Sequence, residues 1–335
     1  MIQTALTDMF DLRHPVVLAP MGSVSGGLLA ATVSNAGGLG LVGGGYGNPD
    51  WLCTELARAR VNTRHAWGVG LITWAIRPGI LDLALSFEPA AVMLSFGDPT
   101  PHAQKIKSAG CRLICQVQDV DQACLARDAG ADIIVAQGAE AGGHGGGRST
   151  LPLVPAVVDA VGRIPVVAAG GIGDGRGLAA ALMLGAQGAL VGTRFYACAE
   201  ALAPDMAKQH IVASTGTDTV RTRAFDVVRG LDWPTHYTGR ALRNRFIEKW
   251  DGRETELRTQ LAREQKAYLD AVRDEDYRTA VIWAGEVADL IGGVEGAATL
   301  VARIGGEAEA CLRRGQALVG NAGVPAHPGL EKVLT

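Results

Sequence analysis

Eight short apolar runs, most of them followed by a helix-like segment, are the feature of this 335-residue chain that most restricts its fold. They occupy residues 16–21, 38–44, 67–73, 90–96, 111–117, 131–138, 164–171 and 188–195. Parallel strands buried on both faces read as continuous apolar runs of this kind. Eight such units predict an α/β fold of the (β/α)8, or TIM-barrel, type. A doubly wound sheet is the alternative, and the regularity of the eight units makes it the weaker one.

The composition changes after residue 196, where charged residues become frequent. We expect residues 201–280 to form a smaller helical domain, inserted after the eighth strand and packed over the barrel mouth as a lid. The barrel would then comprise residues 1–200 and 281–325, and one of the amphipathic segments after residue 280 would be its last helix. The Gly- and Pro-rich tail from residue 320 is expected to be loosely held.

Charge and composition argue against several classes of function. The chain has 31 basic and 34 acidic residues, so its net charge does not favour nucleic acid or an anionic membrane. The N-terminus lacks the apolar segment of a signal peptide, and no run is long enough to span a membrane. The six cysteines form no C-x-x-C pair and the seven histidines show no metal-ligand spacing. We expect a cytoplasmic protein with buried, reduced thiols and no metal site.

Glycines cluster after the last two runs, in "AGGIGDGRG" and "VGTRF". In TIM barrels the chemistry lies at the carboxyl ends of the strands, and a phosphate site often forms after the seventh and eighth strands. Glycine lets backbone N–H groups approach a phosphate, and a helix N-terminus adds a favourable potential. We therefore predict a phosphate site at Gly170, Gly171, Gly192 and Thr193. Glycines that only form tight turns are the alternative.

The first, fifth and sixth strand ends carry an apolar contact and amides rather than a cluster of charges. Met21 can lie against a ring, while the backbone at Gly22 and the side chains of Gln116 and Gln137 can address its polar edge. This set favours a planar cofactor such as FMN over a sugar phosphate. For Gln137, a role as an internally satisfied barrel residue is an equal alternative.

His144 lies among glycines in "AEAGGHGGGRS", after the sixth run. Histidine exchanges protons near neutral pH, and glycines allow a loop to approach a ligand closely. The alternative is a loop histidine bonded to a neighbouring carbonyl. We expect Glu140 to anchor this loop by accepting backbone hydrogen bonds, Asp174 to cap the next helix, and Arg176 to pair with Asp174.

Four segments together resemble the nitronate monooxygenase family, also called 2-nitropropane dioxygenase-like. They are "APMGSVSGGLLAATVSNAGGLGLVGGG", "AQGAEAGGH", "PVVAAGGIGDGRGLAAALMLGAQGALVGTRF" and "WAGE". The resemblance is dense over residues 14–200 and sparse beyond them. It implies a barrel with a small helical domain, non-covalent FMN, and His144 as the catalytic residue. The FMN contacts that it implies are Pro20, Met21, Gly22, Gln116, Gly143, Ala169, Gly170, Gly171, Gly192 and Thr193.

The same resemblance implies a reaction and leaves alternatives open. The implied reaction oxidises small alkyl nitronates, and nitroalkanes, with O2 to a carbonyl compound and nitrite. The wider superfamily includes flavin-dependent enoyl-acyl-carrier-protein reductases and NADH:quinone reductases, so an NAD(P)H-dependent reductase is the second interpretation. A barrel that binds FMN or a phosphate ligand without turnover is the third. A homodimer is expected.

Three features bear on the substrate. Gly70 stands where many relatives carry asparagine, so one flavin or substrate contact is missing or replaced. Trp233, Tyr237 and Trp283 either line a substrate pocket or fill core. The many arginines between residues 221 and 245 either contact a phosphorylated nucleotide or carrier, or face solvent.

Overall fold

The eight apolar runs form eight parallel strands in the structure, a computed structural model that describes residues 1–318. Three further strands form a separate antiparallel sheet. The strands are β1 (Val16–Leu18), β2 (Gly40–Gly43), β3 (Trp67–Ile72), β4 (Ala91–Ser95), β5 (Arg112–Val117), β6 (Ile133–Gln137), β7 (Gly143–Gly145), β8 (Val166–Ala169), β9 (Ala189–Val191), β10 (Thr219–Thr222) and β11 (Thr238–Leu242). The large sheet runs β1-β9-β8-β6-β5-β4-β3-β2, and a parallel bridge between Val17 and Leu39 joins its ends. The TIM-barrel prediction is confirmed.

Helices connect the strands and form the outer layer. They are α1 (Ala5–Phe10), α2 (Gly27–Asn35), α3 (Pro49–Asn62), α4 (Ile80–Leu85), α5 (Thr100–Ser108), α6 (Val120–Asp128), α7 (Thr150–Val161), α8 (Gly175–Met183), α9 (Thr193–Tyr196), α10 (Asp205–Val212), α11 (Ala224–Arg229), α12 (Arg245–Trp250), α13 (Glu254–Thr259), α14 (Leu261–Arg273) and α15 (Ala297–Leu318). Polar side chains begin several of them: Asn48, Asp119 and Asp174 accept backbone N–H bonds at the starts of α3, α6 and α8. Asp174 therefore caps α8 as predicted, and Arg176 pairs with it at 2.7 Å.

The barrel interior is filled by side chains that alternate along the strands with those facing the helices. Val17, Leu41, Met93, Ile114 and Val135 belong to this interior group, and Leu6 and Phe10 of α1 join it. Leu6 lies against Gly188, which directly precedes β9 and is therefore at the amino ends of the strands. The first helix therefore closes the end of the barrel away from the strand carboxyl ends, where the ligand site of this fold is expected.

The last barrel helix is α15, the second of the two amphipathic segments after residue 280. It packs against α8 and α2. Gly175 allows α8 to approach α15, since a Cβ on it would lie 2.3 Å from the nitrogen of Ala308. Gly305 of α15 lies against His14, just before β1, and a Cβ on it would lie 2.0 Å from Nδ1 of that side chain. Residues 319–325 of the predicted barrel range, and the tail after them, lie outside the described residues.

The inserted segment 201–280 is mainly helical, but it contains two strands that the sequence analysis did not predict. Strands β10 and β11 pair antiparallel, and β11 also pairs with β7, so that His144 lies opposite Gly239. The stretch around His144 is therefore a short strand rather than the open loop expected from its glycines. Glycine-rich sequence lacks the β-branched and aromatic residues that indicate a strand, which is why β7 was missed. The core of the insertion contains Phe225, Val228, Phe246, Trp250 and Tyr268.

Three further observations concern membranes, metals and thiols. Among the described residues, no helix is both long enough and apolar enough to cross a membrane. Within residues 1–318, no three His, Cys, Asp or Glu side chains are grouped so that they could hold a metal ion. The six cysteines are free; Cys111, Cys115 and Cys198 are buried, whereas Cys53 is exposed, against the expectation of buried thiols.

Candidate active site

A cavity of about 470 Å³ lies at the carboxyl ends of the barrel strands. Its volume is typical of sites that take a cofactor or a drug-sized ligand. The structure brings into its wall all twelve residues that the sequence analysis selected. They are Pro20, Met21, Gly22, Gln116, Gln137, Gly143, His144, Ala169, Gly170, Gly171, Gly192 and Thr193.

The turn after β1 packs tightly against the ends of β2 and β3. A Cβ on Gly43 would lie 2.2 Å from the carbonyl oxygen of Met21, and one on Gly70 would lie 2.2 Å from Cγ of Pro20. Ser25 holds the turn, because its Oγ accepts the N–H of Met21 at 2.5 Å. The Pro20 ring thus occupies the space that a side chain at position 70 would need. This is a physical reason for glycine where many relatives carry asparagine.

The turns after β8 and β9 present backbone to the cavity. Gly170 and Gly171 have φ of 106° and 70°, in the left-handed region that side chains disfavour. Thr193 accepts the N–H of Gly285 at 2.9 Å with its Oγ1, so its own O–H hydrogen remains available for a ligand. Gly285 belongs to the "WAGE" segment, which explains why a motif far along the chain accompanies the glycine turns. The arrangement suits a phosphate group at these two turns.

Glu140 anchors the stretch between β6 and β7, as expected. Its carboxylate accepts the backbone N–H of Thr150 at 3.0 Å and the Thr150 hydroxyl at 2.7 Å. Both acceptor oxygens are thereby engaged at the start of α7. Glu140 is consequently a structural contact in the cavity wall.

A chain of three glutamine amides supports the strand that carries His144. Gln137 Oε1 accepts from Gln118 at 2.8 Å and from Gln116 at 3.2 Å. Gln137 Nε2 donates to the carbonyl oxygen of His144 at 3.0 Å. The amide of Gln137 is therefore satisfied internally, which is the alternative that the sequence left open. Its predicted contact with a cofactor stays a prediction.

The His144 side chain is nearly buried and bonded to a carboxylate. Its Nε2 lies 2.8 Å from Oδ1 and 3.0 Å from Oδ2 of Asp226, which is on α11. The imidazole is stacked on the indole of Trp233, with ring centroids 3.5 Å apart and planes inclined by 3°. The loop histidine bonded to a neighbouring carbonyl, the alternative for this residue, is thus not what the structure shows.

Burial controls the charge of His144. Burial lowers the pKa of His144 below its ordinary value of 6.5, and the hydrogen bond and negative charge of Asp226 only partly oppose this. The positive charges of Arg229 and Arg221 lower the pKa of His144 further. The imidazole is therefore neutral at pH 7. A neutral imidazole is the form that can accept a proton.

The outer part of the cavity is aromatic and cationic. Trp233 donates from Nε1 to the Tyr46 hydroxyl at 2.9 Å, and the Arg229 guanidinium lies 5.7 Å from the Tyr46 ring centroid. Trp233 and Trp283 both line the cavity. Tyr237 does not, and its ring packs against Phe96 behind the wall. Of the three aromatic residues considered from sequence, two are therefore pocket residues and one is core.

Asp226, which binds His144, and Gln118, which binds Gln137, were both missed by the sequence analysis. Asp226 lies 82 positions after His144, and no local motif connects the two. The signal that was present is an acidic residue within the apolar run "AFDVV", a combination that places a carboxylate among buried side chains.

Known proteins resemble this chain in sequence and in structure. The family model for nitronate monooxygenase matches residues 3–75 and 72–306. A probable nitronate monooxygenase of Staphylococcus aureus strain Newman is 33% identical over 291 residues, which cover 73% of this chain and 79% of that protein.

Two solved structures extend the comparison to nearly the whole chain. FabK from Thermotoga maritima superposes with a TM-score of 0.85 at 32% identity, covering 95% of this chain and 100% of its own. Nitroalkane oxidase from Streptomyces ansochromogenes gives 0.81 at 29% identity, covering 93% and 99%. The family resemblance seen in the sequence is thereby confirmed. This chain is an oxidoreductase that belongs to the nitronate monooxygenase family of flavin-dependent enzymes.

Proposed function

We propose that the enzyme binds FMN and oxidises alkyl nitronates, and nitroalkanes, with O2 to a carbonyl compound and nitrite. The observation that carries this proposal is a nearly buried His144, bonded to Asp226, in the wall of the cavity that also contains the glycine turns. The family membership and the likeness to a nitroalkane oxidase support it. The cytoplasmic location and the homodimer remain predictions.

The residues present fit FMN. A Cβ added to Gly143 would have no neighbour within 4 Å, so this backbone faces open space in the cavity. Pro20, Met21 and Gly22 offer a ring an apolar wall, and the turns after β8 and β9 offer a phosphate their backbone and the Thr193 hydroxyl. When bound, FMN would supply the redox chemistry, which is the transfer of electrons from the substrate to O2.

His144 supplies the proton chemistry. A neutral imidazole can take the proton from the carbon that bears a nitro group, which converts a nitroalkane into its nitronate. The imidazolium that results lies beside the negative nitro oxygens and stabilises them. A nitronate supplied in its ionised form needs no such proton transfer. Comparing a nitroalkane with its nitronate therefore distinguishes proton transfer by His144 from the oxidation itself.

Replacing His144 should affect neutral nitroalkanes and preformed nitronates differently. His144→Ala is expected to keep flavin and to lose oxidation of neutral nitroalkanes by about 10²–10⁴-fold, the range of general-base catalysis. Oxidation of preformed nitronates is expected to persist. Nitrite release and O2 uptake measure both. His236→Ala, which changes an exposed histidine of the same inserted segment, is the control. Full nitroalkane activity in His144→Ala would remove this residue from the mechanism.

A second candidate function, an NAD(P)H-dependent reductase, is favoured by two arginines. Arg77 and Arg229 line the outer part of the cavity, and within residues 1–318 neither has a carboxylate at ion-pair distance. Arg77 donates to the carbonyl oxygen of Gly47 and Arg229 lies over the Tyr46 ring. Guanidinium groups without a paired carboxylate bind phosphates well, as a nicotinamide nucleotide would require. A visible spectrum of the flavin under anaerobic conditions separates the candidates. If only a nitronate bleaches the flavin bands, the result supports the monooxygenase. If NADH or NADPH bleaches them, the result supports the reductase. If neither changes the spectrum, the result supports a barrel that binds flavin without turnover.

A further inference from the structure

We propose that Asp226 is a positioning residue that keeps the hydrogen of neutral His144 on Nε2, so that Nδ1 is the atom that takes the substrate proton. The assignment of the reaction rests on the function proposed above. The assignment of the hydrogen rests on the geometry of the pair and does not require the proposed reaction.

The contact geometry determines which nitrogen carries the hydrogen. Both oxygens of Asp226 lie within hydrogen-bonding distance of Nε2, at 2.8 and 3.0 Å, and the two side chains are only 8% and 5% exposed. An ionised carboxylate only accepts hydrogen bonds, and a neutral imidazole has one N–H. The N–H must therefore be at Nε2, since a bare Nε2 would face two acceptors without a proton between them. The lone pair of the base is consequently on Nδ1.

The pair is held rigidly from both sides. Trp233 is stacked on the imidazole, Trp283 lies 5.1 Å from its centroid, and the backbone of His144 is paired with Gly239. Asp226 lies in the first turn of α11, where the positive end of the helix stabilises a carboxylate. Ring and carboxylate are thus fixed by different elements, β7 and α11, which meet only in the folded chain.

The other charged and titratable groups around the pair do not compete for the imidazole. Arg221 on β10 and Arg229 on α11 are donors only, and they face the pair as positive charges. The Tyr46 hydroxyl accepts the indole N–H of Trp233. Tyr268 of α14 lies close enough to Asp226 for the negative charge of that carboxylate to raise the pKa of Tyr268. Within the described residues, Asp226 is the one carboxylate at hydrogen-bonding distance from the His144 ring.

His144 takes the proton of the substrate on Nδ1. The C–H bond beside the nitro group breaks, an N–H bond forms at Nδ1, and the electron pair stays on the substrate as the nitronate. His144 becomes a cation that carries hydrogen on both nitrogens. Its new charge lies against the Asp226 carboxylate, which lowers the cost of forming it.

Asp226→Asn tests this role through the substrate. An asparagine can turn its NH2 group towards Nε2, which moves the hydrogen of His144 to Nδ1 and blocks the base. The same change in the triad of serine proteases lowers turnover about 10⁴-fold through the wrong tautomer. We expect kcat/KM for neutral nitroalkanes to fall by about 10²–10⁴-fold. Turnover of preformed nitronates should stay within a few fold, which a general structural defect would not allow. Asp232→Asn, at an exposed aspartate of the same segment, should change neither.

A direct measurement of the tautomer makes the test independent of activity. In protein labelled with ¹⁵N-histidine, an NMR correlation spectrum distinguishes a protonated ring nitrogen from a bare one, and the signals missing from His144→Ala identify His144. We expect hydrogen on Nε2 in the native protein and on Nδ1 in Asp226→Asn. Hydrogen on Nδ1 in the native protein, or equal loss of both substrates in Asp226→Asn, would overturn the proposal. If the native protein oxidises no nitro compound, the proposed function fails, whereas the spectrum still decides the tautomer. If Asp226→Asn does not fold, the native spectrum alone decides.

Discussion

At the scale of the residue, the proposed chemistry depends on His144, whose imidazole is bonded to Asp226 and stacked on Trp233. The cavity residues of the barrel could be predicted because each follows a recognisable strand, and such ends converge in this fold. His144 was found for the same reason. Asp226 could not be found in this way, since its contact with His144 depends on how α11 packs against β7. Gln118 was missed because its partner, Gln137, is on the neighbouring strand and not nearby in sequence.

The lowered pKa of His144 leads to a prediction about pH. Only the neutral imidazole is a base, so kcat/KM for a neutral nitroalkane should rise with pH through the pKa of His144 and then level off. Because burial lowers that pKa below 6.5, the plateau should already be reached near neutral pH. The measurement is an initial-rate profile with freshly dissolved nitroalkane, which ionises slowly in water. An apparent pKa above 6.5 for the ascending limb would contradict the burial argument.

At the scale of the element, the small sheet β7-β11-β10 joins the insertion to the strand of His144. Arg221 on β10 donates to the carbonyl oxygens of Gly145 and Ala139 at 2.7 and 3.1 Å, and to the backbone of Thr238. Burial lowers the pKa of Arg221 to about 10, so it still carries its charge at pH 7. Neither role expected for the arginines from sequence, nucleotide contact or solvated face, describes Arg221. A half-buried arginine that binds carbonyls has no local sequence signal, because the carbonyls belong to other elements.

Arg221→Met tests this connection. Methionine keeps much of the length of the side chain but leaves the bonded carbonyls without their donors, at a cost of about 1–3 kcal/mol for buried polar groups. We expect a melting temperature lower by several degrees and reduced nitroalkane oxidation, because β7 is no longer held in place. Arg243→Met, at an exposed arginine beyond β11, should stay within about 0.5 kcal/mol of the native protein. Equal thermal stability of the two variants would refute a bridging role for Arg221.

At the scale of the whole molecule, barrel and insertion share the cavity. The barrel lines one part with its strand ends, and the insertion contributes Arg229 and Trp233 to the other. The barrel was predictable from its eight runs, since a parallel strand buried on both faces reads as a continuous apolar run. The two strands of the insertion were not, because "TVRT" and "TGRAL" are short and polar among charged helical sequence.

Flavin binding should therefore stabilise the entire chain. A substitution at Gly192 is expected to weaken this binding without destabilising the fold. FMN at 100 times its Kd is expected to add about 2.7 kcal/mol to the stability of the folded state. A methyl group at Gly192 would meet only Ala19 and Met21, at 3.5 and 3.8 Å, so the fold tolerates it while it intrudes on the cofactor. In thermal melts, Gly192→Ala should match the native protein without FMN and lose the shift with FMN. Gly147→Ala, at an open position, should keep the shift. An unchanged shift in Gly192→Ala would place the cofactor elsewhere.

Because His144 is paired with an aspartate of the inserted segment, two different parts of the chain carry two parts of the proposed reaction. Barrel turns hold the proposed cofactor, whereas the partner that orients the base arrives on a segment outside the barrel repeat. Substitutions in that segment can therefore change the rate of proton transfer while the barrel turns that hold the proposed cofactor are unchanged.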